Sequence, residues 1–163
     1  MPQFNEHIQQ AERNLQFLGI VNTSAANFFD WQVTVCFYTS LHWVNAHLSL
    51  FNMQYRKHVD VKDALNPQNP QSVRNGSALP PNEYLAYTKL QSLSRRSRYL
   101  VNEKDGNLGK TQAFLTYDIH LSKSLKHLNT LIKFFSNKYN IPVTPISVTC
   151  SGINKGDLSF TTP

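Results

Sequence analysis

The stretch "DWQVTVCFYTSLHWVNAHLSLF", residues 30–51, decides the fold of this chain. Apolar residues recur at Phe29, Val33, Phe37, Leu41, Val44, Leu48 and Phe51, the three- and four-residue spacing of one helix face. A second stripe, Trp31, Tyr38, His42, Asn45 and Ser49, runs roughly a third of the circumference away at about 100° per residue. The spacing predicts a helix from about Asn27 to Phe51 with two buried faces, and such a helix is a central one. Residues 28–51 also have the length of a membrane span. Asp30, Gln32, His42, Asn45 and His47 would each be costly in hydrocarbon, which argues against that reading. The opening "MPQFNEHIQQAERN" is polar and lacks the apolar run of a secretion signal.

Outward from this segment the chain reads as further amphipathic helices. Phe4, Ile8, Ala11, Leu15 and Leu18 predict a first helix closed by Gly19. Residues 52–81 carry Pro67, Pro70, Pro80 and Pro81 among Asn and Ser, so an irregular chain is expected there, with one short helical turn at Val59–Leu65. A third helix, about Asn82 to Val101, turns Ala86, Leu90, Leu93, Ser97 and Leu100 to the core. Tyr84, Tyr87, Gln91, Arg95 and Arg98 share another of its faces. "NEKDGNLGKTQ", residues 102–112, reads as a loop. A fourth helix, about Thr116 to Tyr139, buries Tyr117, Leu121, Leu125, Leu128, Ile132 and Phe135 and turns Lys123, Lys126 and Lys133 away. Beyond Pro142, "VTPISVTCSG" suits an extended strand and "GINKGDLSFTTP" a flexible or docked tail. The expectation is one all-α domain: an antiparallel four- to five-helix bundle over residues 1–139, with an irregular Thr/Ser/Pro-rich tail over 140–163.

The formal charge of +6 is unevenly spread. Residues 89–138 hold ten Lys/Arg against three acids, whereas residues 1–88 hold five against six. A field confined to one half of the chain suits an anionic partner, and equally a solvated basic surface. Two cysteines, Cys36 and Cys150, make neither a disulfide framework nor a metal spacing, which fits a protein of the reducing cytoplasm. "GNLGKT", residues 106–111, evokes a phosphate-binding loop, but Lys104 stands where the first glycine belongs and no buried strand precedes it. His42 and His47 diverge around their helix, and His120 and His127 lack a third ligand, so no metal and no cofactor is expected.

The polar stripe carries two readings. Tyr38 and His42, at i and i+4, point the same way. With Asn45 and Tyr99 they make either a hydrogen-bond network that fixes helix register, or the floor of a site where His42 is a general acid or base. Tyr99, Arg98 and His58 are the candidate partners of the imidazole. "YLAYTKLQSLSRRSRYL", residues 84–100, combines tyrosines with three arginines, which grip phosphate while the rings offer a stacking surface for unpaired bases. It is also the composition of an ordinary soluble helix surface.

Two stretches together resemble the HEPN superfamily of small helical bundles. "DWQVTVCFYTSLHWVNAHL" is similar to that family's aromatic-rich D-W-x-x-x-x-x-[FY]-Y-x-x-L-H helix, and "YTKLQSLSRRSRY" to a Y-x-x-L-x-x-x-S-R-x-x-R-Y pattern of bacterial members. The opening "EHIQQAERNLQFL" also fits, and the likeness covers about residues 4–139. The resemblance implies a four- or five-helix bundle, often a homodimer, associated with RNA cleavage, toxin–antitoxin pairs, antiviral defence or a partner nucleotidyltransferase. Its ribonuclease members use an Arg and a His four to six residues apart. No arginine of this chain is followed by a histidine at that distance, since Arg56 precedes His58 by only two. The expectation is therefore a non-catalytic module that binds RNA, a nucleotide or a protein partner, with Arg95, Arg98, Lys123, Lys126 and Lys133 as its basic face. The alternatives are a metal-independent ribonuclease using His42 or His58 with Arg98, and a structural subunit of a larger assembly.

Overall fold

The computed structural model describes residues 2–100, 113–154 and 156–162. Among them run α1 (Phe4–Ser24), α2 (Phe29–Ser49), α3 (His58–Leu65), α4 (Pro70–Asn75), α5 (Pro81–Tyr99) and α6 (Asp118–Tyr139), with no strand. The fold is all-α. The expected loop at 102–112, with its phosphate-loop look-alike, lies outside the described residues.

α2 packs against α1, α5 and α6, and α5 packs against α6. It can occupy the centre because Gln32 to Phe37 are buried without a break, a pattern only an enclosed helix tolerates. The second buried face is not the one that spacing suggests, however. Trp31 is 60% exposed and Tyr38 36% exposed, while His42 and Asn45 are half-buried. Gln32, Cys36, Thr39, Trp43 and His47 are the residues enclosed instead. Trp43 stacks on Phe135 of α6 with ring centres 6.0 Å apart. His47 is held at both nitrogens, 2.5 Å from the Tyr139 hydroxyl and 3.0 Å from the Ser77 carbonyl. Each large apolar side chain buried this way contributes about 1.5–3 kcal/mol.

α1 does not stop at Gly19 but continues to Ser24. Gly19 serves packing rather than termination: a Cβ there would stand 3.3 Å from the Ile146 Cβ, so glycine lets the C-terminal segment lie against the helix. Leu100 and Tyr117, expected inside, are 53% and 55% exposed because they fall at helix ends, as the left-handed C-cap of α5 and the N-cap of α6. α4 was not legible, because Pro70 reads as a breaker. Here it occupies the first turn, where no N–H is needed. The Asn69 side chain accepts from the Gln71 N–H at 3.0 Å, and Gly76 closes the helix at φ 77°.

Residues 140–154 and 156–162 contribute to the same core as the helices. Ile146, Cys150, Leu158 and Phe160 are all buried within it. Two buried asparagines fix this segment by imitating a backbone neighbour. Asn22 accepts from the Thr149 N–H at 2.7 Å and donates to the Thr149 carbonyl at 3.0 Å. Asn129 accepts from the Ser159 N–H at 2.7 Å and donates to the Asp157 carbonyl at 3.3 Å. The extended reading of "VTPISVTCSG" reduces to a single parallel bridge between Ile146 and Thr161.

Candidate functional site

His58 opens α3 and Lys62 lies one turn on, so both project from one side of that short helix. Asp60 and Asp63 line a different depression, with Tyr55 and Asn69. The helix thus separates its cations from its acids. On α5, Thr88, Gln91, Ser92, Arg95, Arg98 and Tyr99 recur at helical spacing and form one stripe. The two faces, with Val59, line an open groove of about 590 Å³, a size that suits a small ligand or a few groups of a larger one. Among the described residues no carboxylate lines it.

The helices run in opposite directions along this groove. Arg98, at the end of α5, acts electrostatically on His58 at the start of α3, while Asp63 at the end of α3 acts on Tyr84 at the start of α5. One end of the groove is therefore cationic, with His58, Arg95 and Arg98, and the other is polar, with Thr88 and Gln91. Arg98 is held in place by several contacts. Its Nη1 donates to the Tyr38 hydroxyl at 3.3 Å and its Nε to the Ser94 carbonyl at 3.4 Å. Its guanidinium carbon lies 5.7 Å from the Tyr38 ring centre and 5.3 Å from that of Tyr99, within cation–π reach. The His58 ring meets Phe37 edge-on at 5.3 Å. Burial, and then the Arg98 charge, push its pKa below the usual histidine value, so the imidazole is largely neutral near pH 7.

The four residues expected as one polar network divide between two places. Tyr38 and Tyr99 flank Arg98. His42 bonds across to His7, Nδ1 to Nδ1 at 3.2 Å, so one ring carries the shared proton and the other accepts it. Burial lowers the pKa of both imidazoles. Asn45 lines a separate depression with His7, Met53 and Arg56. His42 therefore stands away from the arginines, and His58 joins them.

The expected basic face divides as well. Arg95 and Arg98 line the groove, whereas Lys123, Lys126 and Lys133 are exposed on α6 and do not line it. Lys123 acts on His120, and Lys126 on Cys150. Tyr87, grouped by spacing with the arginines, is fully buried with its ring 6.0 Å from that of Phe37. Among the described residues no three His, Cys, Asp or Glu side chains gather to hold a metal, and no helix is long and apolar enough to cross a membrane. Sequence reasoning missed Lys62 as a partner of His58; their i and i+4 spacing on a short helix was the available signal.

No protein-family model, curated protein or solved structure matches this chain.

Proposed function

We propose that this chain is a HEPN-like helical bundle that binds single-stranded RNA in the α3–α5 groove without reacting with it. One observation carries the reading: Lys62, Arg95, Arg98, His58 and the exposed Tyr99 ring share a groove that no described carboxylate enters. Arginine grips phosphate oxygens through a planar fork, and an exposed tyrosine stacks on an unpaired base. The kinship is supported by the packing of α2 against α5, the two helices that carry the resemblance.

The test is titration of a short single-stranded RNA by fluorescence anisotropy over a range of salt. Three phosphate contacts give a slope of about −2 for log affinity against log salt, at roughly −0.7 per contact on a single strand. Arg95→Gln with Arg98→Gln removes two of them, so the slope falls to about −0.7. Binding that ignores salt, or that survives the double substitution unchanged, refutes the proposal.

A second reading has its own observation, since His58 and Arg98 line the same open groove. The imidazole would move a proton and the guanidinium would stabilise phosphorane charge, making a metal-independent ribonuclease. His42 drops out of that role, being bonded to His7 elsewhere. RNA cleavage in chelator that is lost in His58→Ala would favour this reading over simple binding.

A further inference from the structure

Among the described residues, the groove is more cationic than an internal phosphodiester requires. One diester carries a single negative charge, which one arginine fork satisfies. Here Arg98 supplies such a fork by itself, His58 faces it from α3 with Lys62 one turn along, and Arg95 stands three residues before Arg98 on α5. Among the described residues, every charged group that lines the groove with His58 is positive: Lys62 from its own helix, Arg95 and Arg98 from α5. From α2 the Phe37 ring meets it edge-on, and the Tyr38 hydroxyl accepts from Arg98. Adding a proton to His58 in the empty groove therefore adds a like charge, whereas a ligand with two negative charges favours it.

The geometry points to a phosphate monoester as the ligand group, gripped by Arg95 and Arg98 and by a His58 that takes up a proton as it binds. This rests on the proposal that the groove takes RNA, and it makes the site a reader of a phosphorylated strand end. A monoester carries a charge of about −1.5 to −2 at pH 7 and three acceptor oxygens, against the single charge of a diester. Arg98 is already oriented by Tyr38 and Ser94, so little side-chain freedom is lost on binding. Beyond the cationic end, the Gln91 amide and the Thr88 hydroxyl offer donors and acceptors to the adjoining sugar or base, and Tyr99 offers its ring. The lowered pKa of His58 in the free protein leaves a proton to be gained, so affinity rises as pH falls toward neutrality.

The same group can come from a free mononucleotide, and the experiment separates the two sources. One oligoribonucleotide is compared with a 5′-phosphate, with a 3′-phosphate and with hydroxyl ends, with adenosine monophosphate as competitor. Measurements run between about pH 7 and pH 8, above the second ionisation of the phosphate near 6, so that the ligand's own titration stays small. Calorimetry in buffers of different ionisation enthalpy counts the protons. One phosphorylated end is expected to bind about tenfold more tightly than the hydroxyl strand, with proton uptake on binding. His58→Gln is expected to abolish the uptake and shrink that preference to about threefold or less, with helical content unchanged. Uptake that persists in His58→Gln overturns the part given to His58. Equal affinity for phosphorylated and hydroxyl strands, both salt-sensitive and both lost with Arg95→Gln and Arg98→Gln, overturns the monoester and leaves the RNA groove standing. Adenosine monophosphate binding as tightly as the strand end keeps the monoester and overturns the RNA reading. Failure of every ligand to bind overturns both.

Discussion

Acidifying the protein from pH 7 to pH 4 puts a charge where His47 has no room for one. Its Nε2–H donates to the Ser77 carbonyl, so Nδ1 is the nitrogen that accepts from the Tyr139 hydroxyl. The ring is fully buried among Phe51, Phe135 and Tyr139. Burial lowers its pKa to about 4, with the Lys138 charge adding to the shift and the Ser77 carbonyl opposing it. An unfolded chain keeps a value of about 6.5. Above that value both states are neutral and the full stability is present. As the pH falls from about 6.5 toward 4, the unfolded chain takes a proton that the folded one refuses, and stability is lost. The gap of about 2.5 units, at about 1.36 kcal/mol each, makes the loss about 3 kcal/mol by pH 4. His7, His42, His58, His120 and His127 are shifted in the same direction, so the isolating assay is a difference of differences. Urea unfolding at pH 7 and pH 4 is compared for the wild type and for His47→Gln, whose amide can still donate to Ser77. The variant is expected to start less stable but to lose about 3 kcal/mol less on acidification. An equal acid loss in both proteins would refute the neutral, doubly bonded imidazole.

Three further outcomes follow from the packing. Phe160→Ala, at a fully buried site in the C-terminal segment, is expected to cost about 3–5 kcal/mol in urea unfolding; a cost under about 1 kcal/mol would separate that segment from the cooperative core. Tyr87→Phe removes a buried hydroxyl that has no hydrogen-bond partner among the described residues and is expected to stabilise by about 1 kcal/mol, so a clear destabilisation would reveal a partner after all. Burial, with the neighbouring Asp118, pushes the Cys150 thiol up to about 12, and burial raises Cys36 as well. Both should react with a thiol reagent far more slowly in the native protein at pH 8 than in urea, and equal rates would contradict their enclosure.

The helical architecture was legible because α1, α2, α5 and α6 each repeat apolar residues over about four turns or more, a signal that short-range irregularity does not erase. Their ends were less legible. Leu100 and Tyr117 continue the periodic pattern, yet sit where backbone caps turn the side chain outward. In α2 nearly every position is apolar or small, so periodicity could not tell which polar residues face inward. The choice fell to Gln32, bonded to Asn22 and to the Ala26 carbonyl, and to His47, bonded to Ser77 and Tyr139. Gln32 reaches the C-terminal segment through Asn22, whose side chain also holds Thr149. Contacts separated by 127 residues leave no local mark, and for the same reason the sequence left "GINKGDLSFTTP" open between a flexible and a docked tail. The candidate site was half legible. Arg95, Arg98, Tyr99 and His58 were named from chemistry and converge, but the lysines of α6 were assigned by charge alone, and charge does not say which helix faces which.

The α3–α5 groove as the place where nucleic acid binds is tested most directly by amide chemical-shift mapping at low salt with a single-stranded RNA. The largest changes are expected at His58–Lys62 and along Thr88–Tyr99, with Lys123, Lys126 and Lys133 little moved. Changes centred on the α6 lysines, or no changes at all, would contradict it.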